Sequence, residues 1–354
     1  MVLIRVILRR SQARKSENPT PYRGESSLGA DKSDVFQCVF TCYPFSMMGK
    51  KGKKAQAGKP KKLTPKNVAK RLDALVKKVE EELKDADLFA PLPPTEDCAI
   101  CCVPLPRIVS EIAYRACCGN EICFGCVKEN EVFVDKQNAR NAEKDDKKVI
   151  LVPCAFCRAP TPSAGEEYVR LLEKRSFLHQ DREAMNQLGN TYSEGDGGVP
   201  KDGLKALDYW IKATELGSKE AFNNIGQCFR EGIVVAKDYK KGSLMERAGA
   251  IRGLVAARHN VGCSEYYDFG NYELGIRHWK VAAKAGCQMS LNSHRKVYNS
   301  GGMMPGKDFI SKSELDNIYR LCHQAKEEVN SEERQKHRTE EDNKKYSPRS
   351  IGFD

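Results

Sequence analysis

Residues 184–221 read AMNQLGNTYSEGDGGVPKDGLKALDYWIKATELGSKEA, and the same pattern returns twice further along the chain. Three glycines mark it at steps of 37 and 36 residues: Gly189, Gly226 and Gly262. Three alanines keep the same steps: Ala184, Ala221 and Ala257. A repeat of this length predicts stacked pairs of α-helices. Small residues let the helices approach closely, and we expect Trp210 and Trp279 to fill the core between them.

The pattern A-x3-LG-x2-Y-x2-G…A-x2-W-x2-A-x3-G resembles the Sel1-like repeats, which are related to tetratricopeptide repeats (TPR). The resemblance covers residues 180–325 and implies an all-α Sel1/TPR-like solenoid. The second unit lacks the tryptophan and has Leu244 near its place, and Ser290–Ala325 looks like a degenerate fourth unit or a cap. Gly217 and Gly253 fall where a helix C-cap needs positive φ. Such solenoids bind partners on a concave surface, so the repeats are expected to recruit a protein substrate or adaptor, with a spacer role as the alternative.

Nine of the 15 cysteines cluster within residues 98–160. This segment precedes the repeats and contains no histidine. Three CxxC pairs have the spacing with which two thiolates bind one tetrahedral zinc ion, and an adjacent pair completes eight candidate ligands. They are Cys98, Cys101, Cys117, Cys118, Cys123, Cys126, Cys154 and Cys157. Cys102 is the ninth thiol and is expected to be a spectator. Fifteen cysteines without a convincing secretory signal favour a reducing compartment and metal ligation, so we predict two Zn2+ ions.

Three other interpretations of these cysteines stay open at this point. They are a disulfide framework, a thioredoxin-type redox CxxC, and a ribbon that binds one zinc ion through the last two CxxC pairs. A segment of this size with many lysines cannot build a large core, which favours metal as its source of stability.

The four pairs in this order resemble a RING finger, in the all-cysteine form whose fourth and fifth ligands are spaced as in Cys118-x4-Cys123. In the more common RING pattern, Asn120 would stand at the histidine position. The resemblance implies a small zinc-stabilised α+β domain over residues 95–162. It also implies interleaved ligation, in which the first and third pairs share one ion and the second and fourth pairs share the other.

The RING resemblance further implies an E3 ubiquitin ligase, which holds a ubiquitin-conjugating enzyme and contributes orientation rather than a nucleophile. The implied contact residues are Ile100, between the first two ligands, with Pro153 and Ala155 in the second zinc loop. Arg158 follows the last ligand, at the family's linchpin position, where its planar fork of donors suits two partners at once. The alternatives are that Ile100 is a core residue and that Arg158 only offsets thiolate charge.

Two other functions compete with the ligase. The first is a non-catalytic zinc-binding scaffold or adaptor, which is favoured by the adjacent cysteines and by Ala155, since many ligases have proline there. The second is a nucleic-acid-binding protein that uses a basic arm and a zinc ribbon.

Residues 64–88 predict an amphipathic helix between the basic arm and the cysteines. Thr64 is a suitable N-cap and Pro65 suits the first helical position. Apolar residues recur every three or four positions: Val68, Leu72, Leu75, Val79 and Leu83. We expect this helix to pack on the next domain, with a short pairing helix as the alternative. The proline-rich segment 89–97 predicts a stiff boundary.

Both ends of the chain are charged. Residues 1–63 are predicted to be a disordered, basic arm, because Gly49–Arg71 contains ten basic residues and no acidic one. The arm is either a solubilising tail or a signal for nuclear import or loose nucleic-acid contact. Its start resembles a mitochondrial transit segment, although Met48 is an alternative translation start. Residues 326–354 form a charged tail.

The net charge of the chain is +11, and no apolar run approaches the roughly 20 residues of a membrane span. We therefore expect no membrane partner. The expected location is the cytoplasm or the nucleus, with mitochondria as a minor alternative.

Overall fold

The computed structural model describes residues 63–143, 151–160, 162, 165–299 and 310–328. Residues 1–62 of the predicted arm, with the alternative start at Met48, and residues 329–354 of the predicted tail lie outside these ranges. No helix in the described ranges has the length and the apolar character that crossing a membrane requires.

Helices dominate the described residues, with one small hairpin. The elements are α1 (Pro65–Lys84), a 3-10 turn (Val109–Glu111), β1 (Ile112–Arg115), β2 (Asn120–Cys123), α2 (Phe124–Glu143), α3 (Glu166–His179), α4 (Arg182–Glu194), α5 (Gly203–Glu215), α6 (Lys219–Glu231), α7 (Tyr239–Ile251), α8 (Val255–Cys263), a π-helical turn (Ser264–Asp268), α9 (Tyr272–Lys284), α10 (Gln288–Asn299) and α11 (Lys312–Glu328). Strands β1 and β2 are antiparallel, with Ile112 opposite Cys123 and Arg115 opposite Asn120.

The repeats fold as consecutive helix pairs: α4 with α5, α6 with α7, and α8 with α9. Side chains of Asp181, Asp202, Ser218 and Asp238 cap the first four of these helices by accepting hydrogen bonds from backbone N–H groups. Each pair ends in a glycine with positive φ, and the two predicted ones, Gly217 and Gly253, have φ of 86° and 89°. α10 and α11 form a further helix pair where the sequence predicted a degenerate unit or cap.

Tryptophan packs against glycine inside the first and third pairs. A Cβ atom on Gly189 would lie 2.4 Å from the Trp210 ring, and one on Gly262 would lie 2.5 Å from the Trp279 ring. Trp210 is 6% exposed and Trp279 is fully buried, as predicted for core residues. A larger residue than glycine at either position would push the two helices of the pair apart.

In the second pair, a glutamate side chain packs against the glycine. The side chain of Glu246, not Leu244, faces Gly226 in the position that tryptophan takes in the other two pairs. Leu244, which lies near the place of the missing tryptophan in the sequence, is half-buried and packs against the core cluster, because spacing alone does not fix which residue faces the glycine. Glu246 is 1% exposed. It accepts a hydrogen bond from Ser264 over 3.2 Å and lies 3.8 Å from the guanidinium of Arg230.

Helix α1 packs on the second helices of the first two pairs, α5 and α7. Its apolar stripe joins the largest buried cluster of the repeats, through Val68, Leu72, Leu75, Val76 and Val79. Arg71 forms ion pairs with Asp208 and Glu215 of α5, and Arg252 binds Glu82 over 2.7 Å. The sequence suggested packing on the next domain along the chain. The helix instead packs on the repeats, which follow the cysteine-rich segment along the chain, because their long apolar surface offers more area to bury.

Candidate metal centre

The segment 98–157 folds around the β1–β2 hairpin and the first turns of α2, with one loop on either side in sequence. We call the described part of this segment the cysteine module. Its core is small, and the buried members are Cys98, Leu105, Ile122, Cys123, Cys126, Val127 and Ala155. Since so few apolar side chains are buried here, the hydrophobic effect alone gives this module little stability.

The two outer loops have the same backbone turn. In each, the N–H of the residue after the CxxC donates to the carbonyl of the first cysteine: Cys102 to Cys98 over 2.9 Å, and Arg158 to Cys154 over 3.0 Å. Both donor residues have left-handed backbones, with φ of 53° and 62°. This turn directs both thiols of a CxxC pair to the same side, which is the arrangement that one metal ion needs.

Four thiols meet where the first loop faces the start of α2. This first cysteine group consists of Cys98, Cys101, Cys123 and Cys126, whose Sγ atoms all lie within 4.8 Å of one another. The Sγ atoms of Cys98 and Cys126 are 3.9 Å apart, and those of Cys101 and Cys123 are 3.8 Å apart. The N–H of Cys123 also points at the Cys98 sulfur, over 3.4 Å.

The second cysteine group joins the hairpin turn to the second loop. It consists of Cys117, Cys118, Cys154 and Cys157, again with all Sγ atoms within 4.8 Å. The Sγ atoms of Cys118 and Cys154 are 3.9 Å apart, and those of Cys117 and Cys157 are 3.5 Å apart. Adjacent cysteines can share this group because the chain turns sharply after them, at Gly119 with φ of 75°. Cys102 lies outside both groups.

These distances fit a tetrahedral thiolate site. Four sulfurs about 2.3 Å from one zinc ion lie about 3.8 Å from each other. The observed separations of 3.5–3.9 Å match that spacing and exceed the roughly 2.05 Å of a disulfide bond. The cysteines of the described residues are all free thiols. The grouping is interleaved. A one-zinc ribbon would instead combine the last two CxxC pairs, and these belong to different groups here. Both groups could therefore hold a metal ion.

Electrostatics in the first group also favour a cation. The pKa of Cys98 lies far below its ordinary value, because the thiols of Cys101, Cys123 and Cys126 hydrogen-bond to its thiolate. The pKa of Cys126 is raised far above its ordinary value, since it shares its proton with the same neighbours and would add a further negative charge. The pKa of Cys101 is also lowered, to about 6, because the thiols of Cys123 and Cys126 hydrogen-bond to its thiolate. Two of the four thiols therefore ionise readily, and a divalent cation would have to replace the remaining protons.

The predicted partner-contact residues differ in their exposure. Ile100 is half-buried and packs against the core of the cysteine module. Pro153 is also half-buried and pairs with Pro160 as an isolated bridge. Ala155 is 7% exposed and belongs to the core, so it presents little surface to a partner. Its neighbour Phe156, between the two cysteines of this loop, is exposed at 48%.

Arg158 is exposed, but its guanidinium is held by the buried side chain of Asn130 in α2. Arg158 Nη1 donates to Asn130 Oδ1 over 2.6 Å, while Asn130 Nδ2 donates to the carbonyl of Pro153 over 3.0 Å. Asn130 thus ties both ends of the second loop to α2. This role of Asn130 was not predictable from the sequence, because nothing in its neighbours along the chain distinguishes it from a surface asparagine.

A second set of residues that the sequence analysis missed lies where the cysteine module meets α4. Asp181 Oδ2 accepts hydrogen bonds from Tyr114 Oη over 2.9 Å and from Arg175 Nε over 2.8 Å. Burial opposes ionisation of Asp181, but Arg175 and the capped backbone N–H groups outweigh it and lower the pKa of Asp181. An acidic residue just before a helical pattern is a cap signal, so the capping role of Asp181 was predictable; its contact with Tyr114 was not.

The comparisons with known proteins concern the repeats. Residues 182–218 and 255–287 match the model of the Sel1 repeat family. The predicted Sel1 repeats are therefore confirmed in the first and third helix pairs. The match leaves out the second pair, which has Glu246 in place of tryptophan, and it does not extend to the cysteine module. No curated protein gives a significant match.

Several solved structures are similar to the chain. A Sel1 repeat protein from Oxalobacter formigenes is 20% identical, with 56% of this chain and 84% of that chain covered and a TM-score of 0.40. The protective antigen c5321 of uropathogenic Escherichia coli, which displays an SLR fold, is 18% identical over 48% of this chain, with a TM-score of 0.39; the match spans 36% of that protein. The immunity protein Pa5087 of Pseudomonas aeruginosa is 18% identical, with 57% and 83% of the two chains covered and a TM-score of 0.28.

The fold thus combines a Sel1-repeat array with a module whose two cysteine groups could bind metal. Helical repeat arrays present extended surfaces to other proteins, and this architecture supports a role as a protein-interaction scaffold.

Proposed function

We propose that this chain is a RING-type E3 ubiquitin ligase, with two zinc ions in its cysteine groups and a substrate or adaptor bound by its Sel1 repeats. The observation that carries the proposal is the interleaving of the two groups, in which Cys98 and Cys101 join Cys123 and Cys126 across the intervening doublet. Zinc in both groups would supply the cross-links that hold the two outer loops rigid.

In this proposal the cysteine module supplies orientation. A substrate lysine amine attacks the thioester carbonyl of the ubiquitin-charged conjugating enzyme, an isopeptide bond forms, and the thiolate of that enzyme leaves. Ile100 and Phe156 offer apolar surface to the conjugating enzyme. Arg158 donates one hydrogen bond to Asn130, and its other guanidinium N–H groups can reach the conjugating enzyme and ubiquitin.

The test is self-ubiquitination by the purified full chain with a panel of conjugating enzymes, after metal analysis has shown two zinc ions per molecule. Cys154→Ser, which removes a ligand, is expected to abolish the activity. Arg158→Ala is expected to reduce it.

Arg158→Gly is a sharper variant for the same purpose. The backbone of Arg158 is left-handed, with φ of 62°, which glycine adopts without strain, and the hydrogen bond from Asn130 to Pro153 remains to hold the loop. The zinc content of this variant is measured beside its activity. Activity that is lost in Arg158→Gly, with zinc content unchanged, reports on the side chain alone. A zinc-loaded chain that is inactive with every conjugating enzyme would refute the ligase.

A non-catalytic adaptor is the second candidate, and the structure offers one observation in its favour. Ala155 is buried in the module core, and Arg158 is partly engaged by Asn130, so both lose surface that a conjugating enzyme would use. An adaptor would bind zinc and a protein partner while failing the ubiquitination assay. It would also tolerate Arg158→Gly without loss of partner binding.

A further inference from the structure

The turn that carries the adjacent cysteines is in direct contact with α3, the helix that precedes the repeats. The N–H of Gly119 donates to the carbonyl of Arg115 over 2.7 Å, and this closes the hairpin turn around Cys117 and Cys118. The guanidinium of Arg175, in α3, lies on the open face of Gly119. A Cβ atom there would be 1.9 Å from Arg175 Nη2, so only glycine allows this approach.

Arg175 leads from this turn to the start of the first repeat. Its Nε donates to Asp181 Oδ2 over 2.8 Å, and both side chains are largely buried, at 17% and 12% exposure. The other carboxylate oxygen of Asp181 caps α4 by accepting from the N–H groups of Glu183 and Ala184, over 3.0 and 3.1 Å. Tyr114, on β1 of the cysteine module, completes the contact by donating to Asp181 Oδ2.

Helix α4 connects its capped N-terminus to Trp210 through two residues further along the helix. Gly189 and Asn190, both in α4, touch the indole: the ring packs on Gly189, and its Nε1 donates to Asn190 Oδ1 over 3.1 Å. Asn190 also accepts a hydrogen bond from Asn224 of the second helix pair, over 2.9 Å. A shift of the α4 N-terminus would therefore change the packing of Trp210 and the contact with the next pair.

We propose that metal occupancy of the second cysteine group controls the conformation of the first Sel1 repeat, through Gly119, Arg175 and Asp181. The physical reason is that the position of Asp181 is set by two donors, Tyr114 and Arg175, that rest on the hairpin carrying two of the four thiols. When the group is filled, the turn is fixed and α4 is capped and positioned. When it is empty, the cross-link between the hairpin turn and the second loop is lost, so the turn is released and the cap loosens with it.

This proposal rests on the metal binding proposed above but is independent of ligase activity. It makes the first repeat, and the protein-binding surface that begins there, conditional on metal. Cys157, the exposed member of the second cysteine group, gives chelators and thiol reagents access to that group. The segment that leads into the first cysteine group meets the start of α4 through an exposed ion pair, Glu96 with Arg182, rather than through the buried Asp181, which provides a comparison within the same molecule.

Intrinsic fluorescence gives a direct test, because the chain has two tryptophans and both lie in the repeats. In the full chain with Trp279→Phe, Trp210 reports on the first repeat; with Trp210→Phe, Trp279 reports on the third. Metal content is measured first, and the ions are then removed with a chelator. We expect the thermal midpoint reported by Trp210 to fall by about 3–8 °C, and the midpoint reported by Trp279 to fall by less than half as much. Hydrogen exchange at Glu183 and Ala184 should speed up in parallel in the chain with both tryptophans.

Matched variants test which residues connect the second cysteine group to the first repeat. Asp181→Asn keeps a good N-cap residue but removes the carboxylate that Arg175 binds, so the response of Trp210 to chelation should fall to half or less. Arg182→Ala, which removes the exposed contact with Glu96 at the same junction, is the control and should respond like the wild type. Cys157→Ser should reproduce the effect of the chelator on Trp210, whereas Cys101→Ser in the first cysteine group should have a smaller effect.

Three results would overturn the proposal. The first is a chain that binds and releases metal with no change in Trp210 or in exchange at the α4 cap. The second is an undiminished response in Asp181→Asn. The third is a chain with no bound metal, which would refute the proposed zinc sites at the same time and is distinguished from the other two by the metal analysis.

Discussion

At the scale of single residues, Asn130 links helix α2 to both ends of the second loop. It is 5% exposed, and both polar atoms of its amide bind the second loop, one at Pro153 and one at Arg158. Since this one side chain holds residues on both sides of the CxxC pair, it helps to fix the positions of Cys154 and Cys157.

Replacing Asn130 with alanine should loosen the second cysteine group without touching a thiol. The change leaves the carbonyl of half-buried Pro153 and the guanidinium of exposed Arg158 without their partner, which costs about 1–2 kcal/mol because water reaches both groups in part. We expect metal to leave the protein roughly 5–30 times more readily in a chelator competition. Lys136→Ala, an exposed change on the same helix, is the control and should behave like the wild type. Equal metal retention in Asn130→Ala would show that the loop is held by other contacts.

Glu246, a buried glutamate where the other two pairs have tryptophan, should make the stability of the chain depend on pH. Burial raises the pKa of Glu246 to about 7, from an ordinary value of 4.5. In the folded chain it therefore keeps its proton where the unfolded chain has lost it. The native state binds more protons between these two values, so the contribution of Glu246 to stability falls as pH rises from about 4.5 to about 7.

Glu246→Gln should remove this dependence. Relative to wild type, the variant should gain stability as pH rises through that interval, by on the order of 3 kcal/mol, and the gain should level off above about pH 7. Urea unfolding of both proteins at several pH values measures the difference, and effects common to both, such as loss of metal in acid, cancel. Exposed Glu194→Gln should track the wild type at every pH. A constant difference between Glu246→Gln and wild type would contradict the prediction.

At the scale of elements, α1 shows how an amphipathic pattern predicts a helix but not its partner. The stripe from Val68 to Val79 and the cap at Thr64 were legible in the sequence, and the helix Pro65–Lys84 follows them. The surface that the stripe meets is formed by α5 and α7, more than a hundred residues away along the chain. Only the folded repeats bring those two helices side by side.

Leu72→Ala should therefore destabilise the repeats rather than the cysteine module. Leu72 is 4% exposed within the largest cluster, and truncating a buried leucine typically costs 2–5 kcal/mol. We expect the thermal midpoint seen by tryptophan fluorescence to fall by about 5–15 °C, with metal content unchanged. Lys78→Ala, on the exposed side of α1, should leave the midpoint where it is. A fall in metal content with no change in the midpoint would mean that α1 supports the cysteine module instead.

At the scale of the whole molecule, two parts are stabilised in different ways. The cysteine module buries few apolar side chains, whereas the largest cluster of the repeats runs from α1 through α7. One part depends on bound metal in our proposal, and the other on apolar burial. Their contact through Asp181 joins these two modes of stabilisation.

Removal of metal should therefore unfold the cysteine module before the repeats. In limited trypsin digestion with a chelator present, we expect early cuts within the module, at sites such as Lys128 and Lys136, while a fragment that begins after the first repeat persists. Mass spectrometry of the digest identifies the order of cleavage. The same digestion without chelator is the control, and should cut the module much more slowly. First cuts inside α6–α9 would contradict this order.

The sequence by itself determined the features that depend on spacing along the chain. The 36–37-residue period predicted helix pairs, the CxxC pairs predicted metal ligands, and a threonine before proline predicted the start of a helix. These features were legible because helical turns and CxxC turns are closed by residues only a few positions apart. The interleaved grouping came from the RING resemblance, and the structure brings the same two sets of thiols together.

The tertiary structure alone decided which distant surfaces meet. It placed Glu246 rather than Leu244 against Gly226, buried Ala155 and bound Arg158 to Asn130. It also set Gly119 against Arg175 of α3, and Tyr114 against the cap of α4. Each of these contacts joins residues that are close only after the chain has folded, and many pairings would satisfy the same local pattern. Which pairing forms is settled by how completely the apolar and polar groups of both surfaces are satisfied together.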